Sequence, residues 1–306
     1  MFGTKARAHA TGARFIDPKV LARIDNLELV ARTVVDGFIS GLHRSPYLGL
    51  SIDFAEHRAY MPGDDIRRID WRVFGRTDRF YVKQFEADTN ANFTVVLDIS
   101  RSMEFGTAGL TKLEYAKFLT ASLTYLSSKH RDRVGLITFD TDIVDIVPPS
   151  AKHLEVVLHT LERTKATREG ALTGTLAKIA ETFKRRSVVL LISDLYEDPS
   201  VVMSAVNLLR GKGNDLIVFH VLDPAEVEFA YDQPLNFEDL ETGQQVAVVP
   251  ETLRDQYRTL LTEHRETLAR LMGDNRVEYA FFDTSVPLDL ALLKYLVNRQ
   301  RMSRVR

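Results

Sequence analysis

The chain has 306 residues, 45% hydrophobic and 27% charged, with a formal net charge of −2. That is the make-up of a soluble globular protein with material for one large or two modest domains. The near-neutral charge excludes a global attraction to nucleic acid or acidic membranes, and the absence of cysteine excludes disulfides, thiolate metal sites and cysteine nucleophiles.

Residues 1–18 hold few large apolar side chains and read as a loose arm. Residues 1–14 are basic without an apolar core, so no secretory leader is expected. No apolar run approaches the about 20 residues of a membrane span. No membrane insertion and a cytoplasmic location are therefore expected. From Pro18 to Leu42, the spacing of Val20, Leu21, Ile24, Leu27, Val30, Val34 and Phe38 predicts one or two helices.

Residues 43–91 mix glycine, proline, aromatic and charged side chains, and Phe80 to Glu86 partly alternates, which predicts a small, mainly β module. Within it Pro62-Gly63-Asp64-Asp65 reads as a turn. Arg67, Arg68 and Arg72 are expected to pair with Asp64, Asp65 and Asp70 and fasten the module to the main sheet. The competing reading is a docking face, to which arginine and Trp71 are suited, although a lone tryptophan is as readily packed core.

From residue 92 strands and helices alternate. Phe93 to Asp98 is a strand, and Thr111-Lys112-Leu113-Glu114 reads as a capping box opening a helix with Leu113, Ala116, Leu119, Leu123 and Leu126 as its buried stripe. Strands follow at 134–139, 143–147, 188–193 and 216–222, with helices near 151–163, 173–185 and 199–211. The rhythm breaks between Pro224 and Pro250, where 235–240 and 244–249 form a hairpin around Thr242-Gly243. A long polar helix is predicted over 251–272, with Leu253, Tyr257, Leu260, Leu261, Leu268 and Leu271 on its apolar side. A strand at 277–282 and a helix at 287–299 close the pattern. The fold class is α/β: a doubly wound, mainly parallel sheet with helices on both faces, plus a β-rich N-terminal module and a hairpin insertion. The expected divisions are 1–42, 43–91 and 92–306, with the insertion at about 224–275.

The chemistry concentrates at two strand ends. Phe93-Thr94-Val95-Val96-Leu97-Asp98 is an apolar run ending in a carboxylate, with hydroxyls following at Ser100 and Ser102. A carboxylate with hydroxyls is a hard-oxygen set suited to Mg²⁺ or Mn²⁺. Alone it would read as a turn cap. Val188 to Asp194 is a second apolar strand ending in an acid, and Thr173 opens the helix before it. Parallel strands deliver such residues to one sheet edge, where open α/β sheets bind ligands.

In that order and on those elements, Asp98, Ser100, Ser102, Thr173 and Asp194 resemble the metal-ion-dependent adhesion site of von Willebrand factor A domains. The resemblance implies that the first three are strand-loop ligands, that Thr173 reaches in from a neighbouring loop and that Asp194 acts through water. Many such domains have glycine after the last aspartate; here it is Leu195, which puts the shape of that loop in question. His43-Arg44-Ser45-Pro46-Tyr47, the run from Glu56 to Trp71 and the ending Asp283-Thr284 … Pro287 to Leu293 resemble the domain-of-unknown-function-58 family. That resemblance implies a non-enzymatic, metal-dependent adaptor for a protein partner, namely a MoxR-type AAA+ ATPase or its client.

Enzymatic signatures are thin. G-x-x-x-x-G-K-[ST], H-E-x-x-H and G-x-S-x-G are all absent. His57, near Asp64 and Asp65, is the only histidine grouped with carboxylates and reads as structural. The rival is a Mg²⁺-dependent phosphohydrolase, whose attacking aspartate would need a second carboxylate and a lysine nearby; neither is evident beside Asp98. The basic tail Arg299, Arg301, Arg304 and Arg306 lacks an aromatic platform for nucleic acid.

Overall fold

The computed structural model describes residues 18–44 except 22, 23 and 25, then 56–61, 69–84, and 91–304 except 108, 167, 234 and 239–244. Two helices, α1 (Pro18–Leu21) and α2 (Leu27–Arg44), lead into a segment made of β1 (Glu56–Ala59), α3 (Trp71–Thr77) and β2 (Tyr81–Gln84). The main domain follows with β3 (Asn92–Asp98), α4 (Lys112–Lys129), β4 (Arg133–Phe139), β5 (Ile143–Ser150), α5 (Leu154–Arg163) and α6 (Leu172–Thr182). It continues through β6 (Val188–Ser193), α7 (Pro199–Arg210) and β7 (Asp215–Leu222). The insertion is α8 (Pro224–Glu228), β8 (Leu235–Glu238), β9 (Gln245–Val248) and α9 (Pro250–Asp274), after which β10 (Glu278–Asp283) and α10 (Leu288–Arg304) close the fold.

Six strands form the main sheet in the order β10-β7-β6-β3-β4-β5. All neighbours are parallel except β4 and β5, which are antiparallel. Numbered within the sheet this is the doubly wound order 3-2-1-4-5-6, and the winding reverses between β3 and β6. Both strands are apolar through most of their length because both faces are covered. Alternation sends Val95 and Leu97 of β3, and Leu190 and Ile192 of β6, into the core under α2, α4, α5 and α10. Val96, Val189 and Leu191 enter the opposite core under α6, α7 and α9. Helix α2 is part of this packing: Leu27, Val30, Ala31 and Val34 are buried in the first core.

The capping box predicted at Thr111 is present. Glu114 N donates to the Thr111 hydroxyl at 3.1 Å, and Thr111 N donates to the Glu114 carboxylate at 2.9 Å. It fixes where α4 begins, which matters below. Just before it, Gly106 lies so close to the backbone of Leu110 and Thr111 that a Cβ there would collide with both.

Within the expected module 43–91, the described residues of 56–84 form β1 paired with β2 in antiparallel fashion, with α3, which was not expected, between them; Asp70 Oδ1 caps α3 by accepting from Val73 N at 3.2 Å. Of the two readings left open for Trp71, the ring is exposed rather than packed core: it is 60% exposed and meets Phe74 and Phe80 edge-on. On α9, Leu261, Leu268 and Met272 are buried but Leu253 and Leu260 are exposed, since the packing onto α7 and β10 is carried by the C-terminal half of the helix. Arg67, Arg68, Asp64, Asp65 and the side chains of His57 and Arg72 lie outside the described residues. No helix among the described residues is long and apolar enough to cross a membrane.

Candidate functional site

β3 and β6 end side by side at the point where the winding reverses, with Leu97 paired to Ile192. Asp98 is the last residue of β3, and Asp194 follows the last residue of β6. Asp98, Ser100, Ser102 and Asp194 line one cavity of about 510 Å³. Thr173 falls in the first turn of α6, and its side chain lies outside the described residues.

Asp98 is held by neutral donors. Its Oδ1 accepts from Ser100 N at 2.9 Å, and its Oδ2 accepts from the Ser193 hydroxyl at 2.6 Å. Burial, reinforced by the nearby Asp194, pushes its carboxyl up to about 7. The Ser100 and Ser102 hydroxyl oxygens stand 3.0 Å apart. Two ligands at right angles on an octahedral ion with bonds of about 2.1 Å are separated by about 3.0 Å, so this pair has the spacing of one octahedral edge. Among the described residues no three histidine, aspartate or glutamate side chains gather as a metal site. An ion here would therefore rest on one carboxylate and two hydroxyls, the donor set that Asp98, Ser100 and Ser102 offer.

Asp194 meets a cation. Lys112 Nζ donates to Asp194 Oδ2 and to Glu226 Oε1, each at 2.8 Å, and the lysine has no exposed surface. Burial works against its ammonium, but the two carboxylates outweigh burial and hold its pKa above the usual value. Burial also lifts the Glu226 carboxyl despite Lys112 beside it. Reading the sequence missed this lysine. The available signal was its position: Lys112 is the first residue of α4, where the helix dipole disfavours a cation, so compensating acids had to come from elsewhere. The phosphohydrolase argument changes accordingly, because a second carboxylate and a lysine do share the cavity with Asp98.

Leu195 answers the question of the third loop. It adopts φ 48°, the left-handed region in which glycine is at ease. Its N–H donates to the Ser193 hydroxyl at 3.2 Å, and its carbonyl accepts from His264 Nε2 of α9 at 2.9 Å. The conformation costs about 1–2 kcal/mol, whereas burying a leucine returns about 1.5–3 kcal/mol. Leu195 is 0% exposed. The glycine-like turn is kept, with an apolar anchor added.

The insertion is tied to the same edge. Asp223, at the end of β7, accepts from Thr107 N at 2.8 Å and from the Thr107 hydroxyl, while its own N–H donates to Glu226 Oε2 at 2.8 Å. This box, which opens α8, aims the other oxygen of Glu226 at Lys112.

Among solved structures, BatB from Bacteroides thetaiotaomicron is 18% identical, with 69% of this chain and 99% of that chain covered and a TM-score of 0.44. The SpRpn10 VWA domain is 11% identical, with coverages of 66% and 94% and a TM-score of 0.40. Uncharacterized proteins of Mycobacterium tuberculosis and Mycobacterium bovis are 31% identical over 263 residues, which is 83% of this chain and 81% of theirs. The family described as "Protein of unknown function DUF58" matches residues 56–267, and the chain belongs to that family.

Proposed function

We propose that this protein is a non-enzymatic interaction module whose switch-point edge binds Mg²⁺ or Mn²⁺ and docks a protein partner through the ion. Asp98, Ser100 and Ser102 are the direct ligands in this reading, with Thr173 and Asp194 completing the site. The observation that carries it is the pair of serine hydroxyls 3.0 Å apart beside a buried carboxylate that has only neutral donors. One carboxylate and two hydroxyls leave a divalent ion short of ligands and of charge. A partner's acidic side chain supplies both. The family resemblance points to a MoxR-type AAA+ ATPase, or a client it remodels, as that partner. Affinity capture by the full chain with and without EDTA tests this: Mg²⁺-dependent recovery of the ATPase, abolished by Asp98→Ala, is expected. Capture that survives both EDTA and Asp98→Ala contradicts it.

A second reading, the Mg²⁺-dependent phosphohydrolase, draws support from Lys112 and Asp194 sharing the cavity with Asp98. Against it, the Lys112 ammonium is buried and saturated by two carboxylates, so it is not presented to a phosphate. Turnover of a phosphoester panel that is lost in Asp98→Asn would favour the enzyme.

A further inference from the structure

The cavity is larger than an ion needs. Its volume of about 510 Å³ falls within the about 300–1,000 Å³ typical of pockets that enclose organic groups. Away from the serines its wall is aromatic: Phe105, Tyr196, Phe229, Tyr231, Phe237 and Tyr257 line it. The part contributed by the insertion is pre-built. Phe229 stacks on Phe237 with centroids 5.5 Å apart and lies 4.6 Å from Tyr257, while Tyr231 meets Phe237 edge-on at 5.1 Å. Tyr196, one of these lining rings, is 46% exposed, so the wall of the cavity reaches solvent.

Charge narrows the choice of occupant. Four carboxyl groups, those of Asp98, Asp194, Glu197 and Glu226, line the cavity with one ammonium, Lys112, which two of them share at 2.8 Å. An anion finds no unshared cation in this lining. A neutral apolar group would desolvate carboxylates without compensating them. A cation is favoured twice, by the carboxylates and by the negative faces of the rings. The chain already exploits this: the Lys112 ammonium sits 4.8 Å from the Tyr196 centroid and 6.0 Å from that of Phe105.

We propose that the aromatic half of this cavity binds a cationic side chain of a protein partner, arginine in preference to lysine. The guanidinium is planar, weakly hydrated and stacks on rings, which suits a ring-walled site better than a compact ammonium does. This goes beyond the ion-mediated contact and does not depend on it, since removing the ion leaves the cavity more negative.

The test uses the full chain and two probes, N-acetyl-arginine amide and its neutral isostere N-acetyl-citrulline amide, with binding read by saturation-transfer NMR and calorimetry, with and without Mg²⁺. The arginine probe is expected to bind in both conditions and the citrulline probe at least about 10-fold more weakly, as the loss of a desolvated charge contact implies. Tyr257→Leu keeps the apolar volume and should weaken the arginine probe by about 3- to 10-fold. If that variant does not fold, Phe237→Leu on the hairpin serves the same purpose. Equal binding of the two probes, or an arginine affinity untouched in a folded ring variant, overturns the proposal. A Mg²⁺-induced rise in Tm, read on the same samples, reports the ion separately. Its absence would remove the metal reading and leave the arginine result standing.

Discussion

The two acid-ended strands look alike in sequence and differ in what surrounds their carboxylates. At the end of β3, Asp98 is met by an amide and a hydroxyl, with two further hydroxyls nearby and, among the described residues, no cation. At the end of β6, Asp194 is met by a buried lysine. One end lacks a positive charge and the other carries a built-in one. A motif of apolar strand plus aspartate therefore fixes where a carboxylate goes and leaves its charge balance to distant elements.

The strongest way to break this contrast is to remove the internal cation. Lys112→Met leaves Asp194 and Glu226 buried without a partner and should cost about 3–5 kcal/mol in urea unfolding. Adding Glu226→Gln should recover part of the loss. A cost below about 1 kcal/mol would mean that the β6 end does not rely on Lys112.

The two aspartates should then respond unequally in EDTA. Asp194→Asn weakens a charged hydrogen bond and should cost about 1.5–3 kcal/mol. Asp98→Asn removes a buried carboxyl that no described cation pairs with, keeps an oxygen to accept from Ser100 N and should cost about 1 kcal/mol or less. Equal costs from matched melts would erase the distinction. Ser193→Ala takes away the hydroxyl that reaches both Asp98 and Leu195 N and should cost about 1–2 kcal/mol. A small effect is also expected at Leu195→Gly, where relief of the left-handed backbone offsets most of the lost burial, for a net loss of about 1 kcal/mol. A net gain in stability there would show that the leucine is not an anchor.

Much of the fold was legible because its signals are local. The apolar runs 93–97 and 188–192 and the Thr111–Glu114 box each encode their element within a few residues, and the strand rhythm pointed to a doubly wound, mainly parallel sheet. That Asp98, Ser100 and Ser102 gather at one strand end was legible for the same reason. Lys112 was not, because its partners come from the end of β6 and from α8. Helix α3 was hidden because Trp71 to Thr77 contains a glycine and no clear apolar stripe. Periodicity on α9 marked an apolar side, but periodicity cannot say how far a helix overhangs what it packs on, and Leu253 and Leu260 of that side are exposed. The left-handed turn at Leu195 was in question because leucine seldom adopts that conformation. The structure shows burial and the His264 contact holding it there.

The most direct test is a crystal of the full chain soaked in Mn²⁺ and measured for anomalous scattering. An ion at the β3 end predicts a peak about 2.1–2.2 Å from the Ser100 and Ser102 hydroxyl oxygens and beside Asp98, with Lys112 still bridging Asp194 and Glu226. A peak seated between Asp194 and Glu226 with Lys112 displaced, or no peak at the switch point at saturating Mn²⁺, would contradict it.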